Sequence, residues 1–145
     1  MPYSQNVLPE EDSMKPSEIG RMGEDAVCYY LEALGYEILS RNFRVRGGEI
    51  DIVASIGCEL CFVEVKTRKL ESMVDGFAAV TRTKQRRLIR AAYLYCEKFD
   101  MQDEEWYIRY DIAEVTTLHN RIVNIDYLEN AFDETYFHDN SQIIF

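Results

Sequence analysis

The stretch GGEIDIVASIGCELCFVEVKTR, residues 47–68, reads as two short β-strands joined by a tight turn. The turn falls at residues 57–58, because a glycine at the first position suits a two-residue type II′ hairpin. In the register that follows, Asp51 faces Glu64, and directly opposed residues share one face with Cβ atoms about 5 Å apart. The pattern therefore predicts that two acidic side chains meet where strands ordinarily carry apolar ones.

Two carboxylates held that close repel each other, and a divalent cation between them would turn the repulsion into binding. Mg²⁺ or Mn²⁺ prefers hard oxygen ligands and takes only a few protein carboxylates beside water. Lys66 follows Glu64 on the same strand face, where its charge would stabilise a phosphate in reaction. The hairpin thus predicts the site of a metal-dependent phosphodiesterase, with Asp51 and Glu64 as ligands. The alternative is a cross-strand ion pair between Glu49 and Lys66, with the two carboxylates at a wet sheet edge.

The composition predicts one soluble domain, since the chain has 145 residues, of which 47% are hydrophobic and 29% charged. No apolar run is long enough for a membrane span, and residues 1–15 lack the apolar core of a secretory signal, so we expect a cytoplasmic protein with reduced thiols. Cys58 and Cys61 have zinc or redox spacing, but the second ligand pair of a structural zinc site is missing. No Gly-x₄-Gly-Lys loop is present, which excludes a P-loop nucleotide hydrolase.

Basic residues concentrate in one part of an acidic chain. The net charge is −10, yet residues 66–99 contain nine basic and three acidic side chains, a balance of +6. The concentration favours a local phosphate-binding surface, and plain solvation of a helix or strand face is the alternative. The side chains that we expect to contact nucleic acid are Arg44, Arg46, Arg68, Lys69, Arg82, Lys84, Arg86, Arg87 and Arg90.

Hydrophobic periodicity predicts the element order α-β-β-β-α-β-β, a mixed sheet with helices packed on it. Residues 1–16 form a disordered N-terminal arm, residues 17–132 the domain and residues 133–145 a loose acidic tail. Besides the hairpin, we expect a helix capped by Ser17 and stopped by Gly35, a strand over 36–45, a loop over 67–81 with Gly76 as hinge, a helix over 83–98, strands over 106–115 and 121–126, and a short helix over 127–132.

Glu24 lies beside the apolar stripe of the first helix, in line with Val27 and Leu31. A carboxylate at the edge of the stripe can look into a cleft between helix and sheet and join the metal ligands. Spacing alone favours the other interpretation, a solvated surface glutamate.

Several short motifs carry a family resemblance over residues 17–132. The matching pieces are Gly20, Gly23, Glu24 and Ala26, then Gly35-Tyr36, Arg41-Asn42-Phe43-Arg44, Gly48-Glu49-Ile50-Asp51, Phe62-Val63-Glu64-Val65-Lys66-Thr67-Arg68, Lys84, Tyr110-Asp111 and Asn130-Ala131-Phe132. With these pieces the sequence resembles the YraN-type family of uncharacterised, endonuclease-like proteins of the PD-(D/E)XK nuclease superfamily. Ile50 stands where the superfamily pattern has proline.

The resemblance implies an α/β fold, the αβββαβ restriction-endonuclease-like core. It also implies that Asp51, Glu64 and Lys66 occupy catalytic positions and that Glu24 is the helix carboxylate of an Mg²⁺ or Mn²⁺ site. The expected activity is cleavage of DNA, and similarity of the core to archaeal Holliday-junction resolvases suggests branched or junction DNA by analogy. The alternatives are a non-catalytic nucleic-acid-binding module and a protein-interaction domain. A homodimer is compatible with either function.

Overall fold

The computed structural model describes residues 14–72, 80–101 and 104–134, in which a five-stranded sheet lies between two helices. The strands follow one another in sequence order across the sheet; β1, β2 and β3 are antiparallel, β4 runs parallel to β3, and β5 is antiparallel to β4. This arrangement confirms the predicted mixed α/β fold with an αβββαβ core. The elements are α1 (Pro16–Ala33), β1 (Glu37–Val45), β2 (Gly48–Ile56), β3 (Glu59–Lys69), a 3₁₀ turn (Leu70–Ser72), α2 (Arg82–Lys98), β4 (Tyr107–Leu118) and β5 (Arg121–Phe132).

The N-cap of helix α1 lies two residues before the predicted cap at Ser17. Lys15 is the N-cap, and its backbone N–H donates to Glu18 Oε1 at 2.8 Å. Pro16 occupies the first helical position, where its fixed φ suits a helix and its missing N–H costs nothing. The helix ends before Gly35, whose φ of +97° confirms it as the stop.

Each helix covers one face of the sheet, and each face has its own apolar core. Helix α2 is capped by Thr81, whose hydroxyl accepts from the Lys84 N–H at 3.2 Å. Phe99, the C-cap of this helix, is 48% exposed because it lies beyond the last turn. The buried side chains include Val27, Leu31, Ile52 and Val63 on the α1 side, and Val53, Phe62, Leu88, Ile89 and Tyr95 on the α2 side.

The hairpin of β2 and β3 has the predicted register over its first part. Residues 52–56 pair with residues 59–63, from Ile56 opposite Glu59 onward. Gly57 has a φ of +57°, which a glycine adopts at no steric cost at the first position of such a turn. Sequence patterning therefore predicted this half of the hairpin correctly.

The hairpin opens at its other end, where the candidate ligands lie. In the described chain the β2–β3 ladder stops before Asp51, so the predicted backbone pairing of Asp51 with Glu64 is wrong. Alternation is broken at the same place, since Ile50 and Val53, three residues apart, both belong to the core on the α2 side. Instead, the backbone N–H of Val65 donates a hydrogen bond to Oδ2 of Asp51 at 2.8 Å. A side chain here replaces a ladder hydrogen bond.

Strand β1 is irregular at the same level of the sheet. Asn42 has a φ of +55°, a conformation that asparagine tolerates better than most residues. Across it, Arg41 reaches the carboxylates of α1 whereas Phe43 packs against the core on the α2 side. Arg41 and Phe43, two positions apart on the strand, therefore lie on opposite faces of the sheet.

The second half of the chain differs from prediction in two places. Strand β3 continues to Lys69, paired with Thr117 of β4, where a loop was expected from residue 67. The segment 127–132 continues β5 rather than forming a helix. Tertiary contacts override the local helical pattern there, because the backbone N–H of Asn130 donates to Asp111 Oδ1 at 2.9 Å.

A buried polar cluster ties β4 to its neighbours. Asp111 is fully buried, and Arg109 is 4% exposed. The guanidinium donates to Asp111 Oδ2 at 2.8 Å, to the Tyr36 hydroxyl at 2.6 Å and to Glu59 Oε1 at 2.6 Å. The Tyr127 hydroxyl donates to Asp111 Oδ2 at 2.6 Å. Burial and the negative charge of Asp111 raise the pKa of Tyr127, which therefore stays a hydrogen-bond donor.

Some expectations concern residues that the structure does not describe. Most of the predicted arm (residues 1–13), the hinge at Gly76 and the tail from residue 135 onward fall there. Within the described ranges, neither helix is long and apolar enough to cross a membrane.

Gly48 lets α2 approach the start of β2. A Cβ on Gly48 would lie 2.6 Å from the carbonyl oxygen of Arg87 and 3.3 Å from the Ala91 side chain. We expect Gly48→Ala to lower the free energy of unfolding by about 1–3 kcal/mol, because a helix backbone must move. Gly20→Ala is the control; it meets no atom within 4 Å and should stabilise α1 by up to about 1 kcal/mol. Urea unfolding measures both changes, and equal effects would contradict this view of Gly48.

Candidate metal and phosphate site

An open depression of about 590 Å³ lies where β2 and β3 separate, between the β1–β2 turn and α2. Its position follows from the end of the ladder, because β2 and β3 no longer pair through their backbones there and both carboxylates line the gap. Both charge signs are represented among its lining side chains. The lining residues are Arg44, Val45, Gly47, Gly48, Glu49, Asp51, Glu64, Lys84 and Arg87.

Asp51 is held by the backbone of β3 and is mostly buried. One carboxylate oxygen accepts the Val65 N–H, which fixes the side chain and favours its ionised form. Burial outweighs that bond, and together with the charge of Glu64 it raises the pKa of Asp51 to about 7. The chain thus keeps a carboxylate where ionisation is costly, which is typical of functional rather than structural positions.

Glu64 and Lys66 lie two residues apart on β3, and both are partly buried. Burial raises the pKa of Glu64, while the positive charges of Lys84 and Lys66 oppose that shift. Burial lowers the pKa of Lys66, and the neighbouring charge of Lys84 lowers it further. Lys84 therefore acts electrostatically on both predicted site residues of β3.

Glu49 lies in the depression but not opposite Lys66. It pairs with Arg44 of β1 in the sheet, and Oε2 of Glu49 is 3.3 Å from Nε of Arg44. The β2–β3 ladder ends before it reaches the predicted pairing of Glu49 with Lys66, and Glu49 pairs with β1 instead.

Glu24 lines a different depression from the carboxylate pair, yet its negative charge contributes to the raised pKa of both Asp51 and Glu64. It lines a separate depression of about 250 Å³ on the α1 side, together with Val65, Thr67 and Lys69. Its Oε1 lies 3.7 Å from Arg41, which is paired more closely with another α1 carboxylate. Among the residues that the structure describes, no group of three or more His, Cys, Asp or Glu side chains is arranged to hold a metal. Asp51 and Glu64 therefore share one depression, and Glu24 lines another.

The expected nucleic-acid-binding residues fall into different environments. Arg44 is 73% exposed beside Glu49, whereas Arg68 pairs with Glu114 at 3.2 Å. Lys69 lies in the depression of Glu24, and Arg90 is half-buried. The members that line the larger depression are Arg44, Lys84 and Arg87, and those exposed outside its lining are Arg46, Arg82 and Arg86.

Two features of this site depend on contacts between separate elements of the fold. The N–H of Val65, which orients Asp51, belongs to the backbone and leaves no trace in residue types. Helix α2 takes part in the site because its backbone comes close to Gly48, which has no side chain to keep it away. A glycine outside the turn proper, at the first position of a strand, is the signal that pointed to a close approach.

The sequence was compared with known proteins. The model of "Uncharacterised protein family UPF0102" matches residues 23–115, which include Glu24, Asp51, Glu64, Lys66 and Lys84. The chain belongs to the UPF0102 family. UPF0102 membership confirms the resemblance to the YraN-type family.

Individual UPF0102 proteins match most of the domain. A UPF0102 protein of Geobacter sulfurreducens is 42% identical over 118 residues, which cover 81% of this chain and 91% of the relative. One from Caldicellulosiruptor saccharolyticus is 38% identical over 120 residues, 82% of this chain and 100% of the relative. A third, from Symbiobacterium thermophilum, is 40% identical over 114 residues, with 79% and 95% covered.

Proposed function

We propose that this UPF0102 protein is a metal-dependent endonuclease that hydrolyses phosphodiester bonds in DNA. The observation that carries the proposal is the pair Asp51 and Glu64, whose pKa values are both raised by burial in a depression bordered by cations. Folding gains nothing from two half-buried carboxylates that repel each other. A divalent cation would remove that cost, and phosphate is the ligand that the surrounding cations would attract.

The donor set fits Mg²⁺ or Mn²⁺. Both side chains offer hard oxygen atoms, and the open depression leaves room for the waters that Mg²⁺ retains. The Val65 N–H occupies one side of Asp51 Oδ2, so the carboxylate keeps lone pairs on both oxygens for a ligand. When bound, the metal would supply a Lewis acid for the phosphate and lower the pKa of a water.

The protein side chains would divide the remaining work. Asp51 and Glu64 would position the metal, and Val65 would keep Asp51 in place. Lys66 would stabilise negative charge that develops on the phosphate, because a lysine in a partly buried position is a stronger electrostatic partner than one in water. We propose that the protein acts in the cytoplasm, where DNA is accessible. Branched or junction DNA is the first class of substrate to test.

Cleavage of DNA by purified protein tests the proposal. We expect wild type with millimolar Mg²⁺ or Mn²⁺ to cut at least one member of a panel of linear, flapped and four-way DNA. Glu64→Gln should reduce the rate by about 10³-fold and Lys66→Ala by about 10²-fold or more. Glu129→Gln, a change at an exposed β5 carboxylate that is 63% accessible, is the matched control. Equal rates for wild type and both site variants would mean a contaminating nuclease and reject the proposal.

A non-catalytic nucleic-acid-binding module is the second candidate, and the separate position of Glu24 favours it. A site with two carboxylates in place of three would bind metal more weakly. That candidate predicts salt-dependent DNA binding with no turnover under any metal, whereas a protein-interaction domain predicts no DNA binding at low salt.

A further inference from the structure

The cations of α2 are divided into two groups by the geometry of the helix. Lys84 and Arg87, three positions apart, lie on one helix face and line the depression of Asp51 and Glu64. Arg82 and Arg86 lie outside that lining. The basic residues of α2 therefore do not form one uniform surface, and only one face of the helix takes part in the site.

In the described part of the chain, no carboxylate lies within ion-pair distance of Lys84 or Arg87, and Lys84 acts on Glu64 only at longer range. Neither forms an ion pair there, although each lies in the same depression as three acidic side chains. Arg44, across the depression, is 3.3 Å from Glu49, and Arg68 is 3.2 Å from Glu114. Two cations on one helix face that form no close ion pair within the protein are suited to bind the anionic group of a ligand.

The β4 side of the carboxylate pair carries different side chains from the α2 side. Glu64 is next to Ile112 of β4, and the following position on that strand face is Glu114, which pairs in the sheet with Asp126 of β5. Arg68 is neutralised by Glu114. Lys66, which pairs with Glu114 in the sheet, is assigned to the scissile phosphate itself. A second phosphate on that side would meet Ile112 and the acidic side chains Glu114 and Asp126, so charge favours the side of α2.

Gly48 holds the two cations in place. The carbonyl oxygen of Arg87 lies 2.6 Å from where a Cβ of Gly48 would be, so α2 rests directly on the first residue of β2. The contact brings the first two turns of the helix to the open end of the hairpin. A helix displaced by a side chain at this position would carry Lys84 and Arg87 away from the carboxylates.

We propose that Lys84 and Arg87 bind a phosphate that flanks the scissile phosphate, on the α2 side only, so that the substrate is an internal phosphodiester of a nucleic acid strand. The proposal rests on the proposed function for the position of the scissile group. It adds that the bound nucleic acid strand extends from the carboxylate pair toward α2 and away from β4 and β5.

Binding measured without turnover tests this inference. Fluorescence anisotropy would follow a labelled DNA oligonucleotide of about 20 nucleotides with Ca²⁺ in place of Mg²⁺, over a series of NaCl concentrations. Lys84→Ala and Arg87→Ala should each weaken binding roughly 5–20-fold at low salt and reduce the slope of log Kd against log salt by about one. The matched controls are Lys98→Ala, at the far end of the same helix, and Arg21→Ala, exposed on α1. Both should keep the wild-type slope.

A strand with uncharged methylphosphonate linkages supplies a second measurement. Wild type should bind it at least about tenfold more weakly than DNA, and the Lys84 and Arg87 variants should show a smaller difference. Slopes of the two variants equal to those of the controls would overturn the inference. Tight wild-type binding to the uncharged strand, or no binding of wild type to DNA, would overturn it as well.

Failure of the proposed function has a different signature. A wild type that binds DNA, loses one unit of slope with each variant and yet never cuts would keep the phosphate site and reject the nuclease. If wild type cuts DNA while both variants bind like the controls, the nuclease proposal stands and the phosphate site at Lys84 and Arg87 is rejected.

Discussion

Replacing Asp51 by asparagine is expected to abolish metal-dependent DNA cleavage and, at the same time, to stabilise the metal-free protein at about pH 8. The loss of activity should be about 10³-fold, because a neutral amide is a poor ligand for Mg²⁺. The gain in stability follows from burial, which raises the pKa of Asp51 to about 7 and makes its charge costly above that pH. The amide oxygen can still accept the Val65 N–H, so the local fold should persist.

The pH dependence has a definite sign. An aspartate ordinarily titrates near pH 4 in an unfolded chain, and Asp51 titrates near pH 7 when folded. Between those values the folded state binds more protons, so wild-type stability falls as pH rises, by at most about 1.4 kcal/mol per pH unit. The asparagine variant lacks this proton. Its advantage over wild type should be small near pH 4 and reach about 2–4 kcal/mol near pH 8.

Urea unfolding of both proteins at several pH values measures the difference. Asp126→Asn, at an exposed position of β5, is the control and should change stability by less than about 0.5 kcal/mol at every pH. Millimolar Mg²⁺ should raise the Tm of wild type and leave that of Asp51→Asn unchanged. If Asp51→Asn destabilised the protein equally at low and high pH, Asp51 would be a structural hydrogen-bond acceptor and not a poised ligand.

The sequence predicted the layers of the fold and half of the hairpin geometry, because those depend on residue periodicity. The glycine turn and the alternation of residues 59–63 place Phe62 and Val63 on the correct faces. The break in alternation before Asp51 could not be read from the same pattern. Ile50 is apolar on either face, so the sequence is equally compatible with a regular strand and an irregular one.

Long-range contacts account for the other differences. The segment 127–132 has a helical pattern, and only the position of Asp111 on another strand makes it a continuation of β5. Similarly, spacing puts Glu24 at the edge of an apolar stripe, but the distance from α1 to the carboxylate pair depends on how helix and sheet pack. Residue types indicated that Asp51 and Glu64 lie together, whereas packing decided that Lys84 lines their depression and that Glu24 lines another.

The buried cluster of β4 predicts the largest loss of stability in this protein. Asp111→Ala removes the acceptor of the Arg109 guanidinium, the Tyr127 hydroxyl and the Asn130 N–H. A buried cation that loses its partner costs about 3–5 kcal/mol, a large part of the roughly 5–15 kcal/mol by which domains of this kind are stable. We therefore expect the Tm to fall by about 10–20 °C. The signal in the sequence was an arginine and an aspartate two positions apart on a strand face that continues with Ala113.

The cost should arise from the uncompensated charge rather than from the lost aspartate itself, and a double variant separates these causes. Arg109→Met combined with Asp111→Leu removes both charges and should recover about 1–3 kcal/mol relative to Asp111→Ala, because no buried ion is left without a partner. Asp126→Ala on the neighbouring strand is the matched control and should cost less than about 0.5 kcal/mol. Calorimetry of the four proteins gives the comparison. A double variant less stable than Asp111→Ala would show that the cluster holds β4 and β5 together through its hydrogen bonds, and that Glu59 and Glu129 compensate the charge of Arg109 without Asp111.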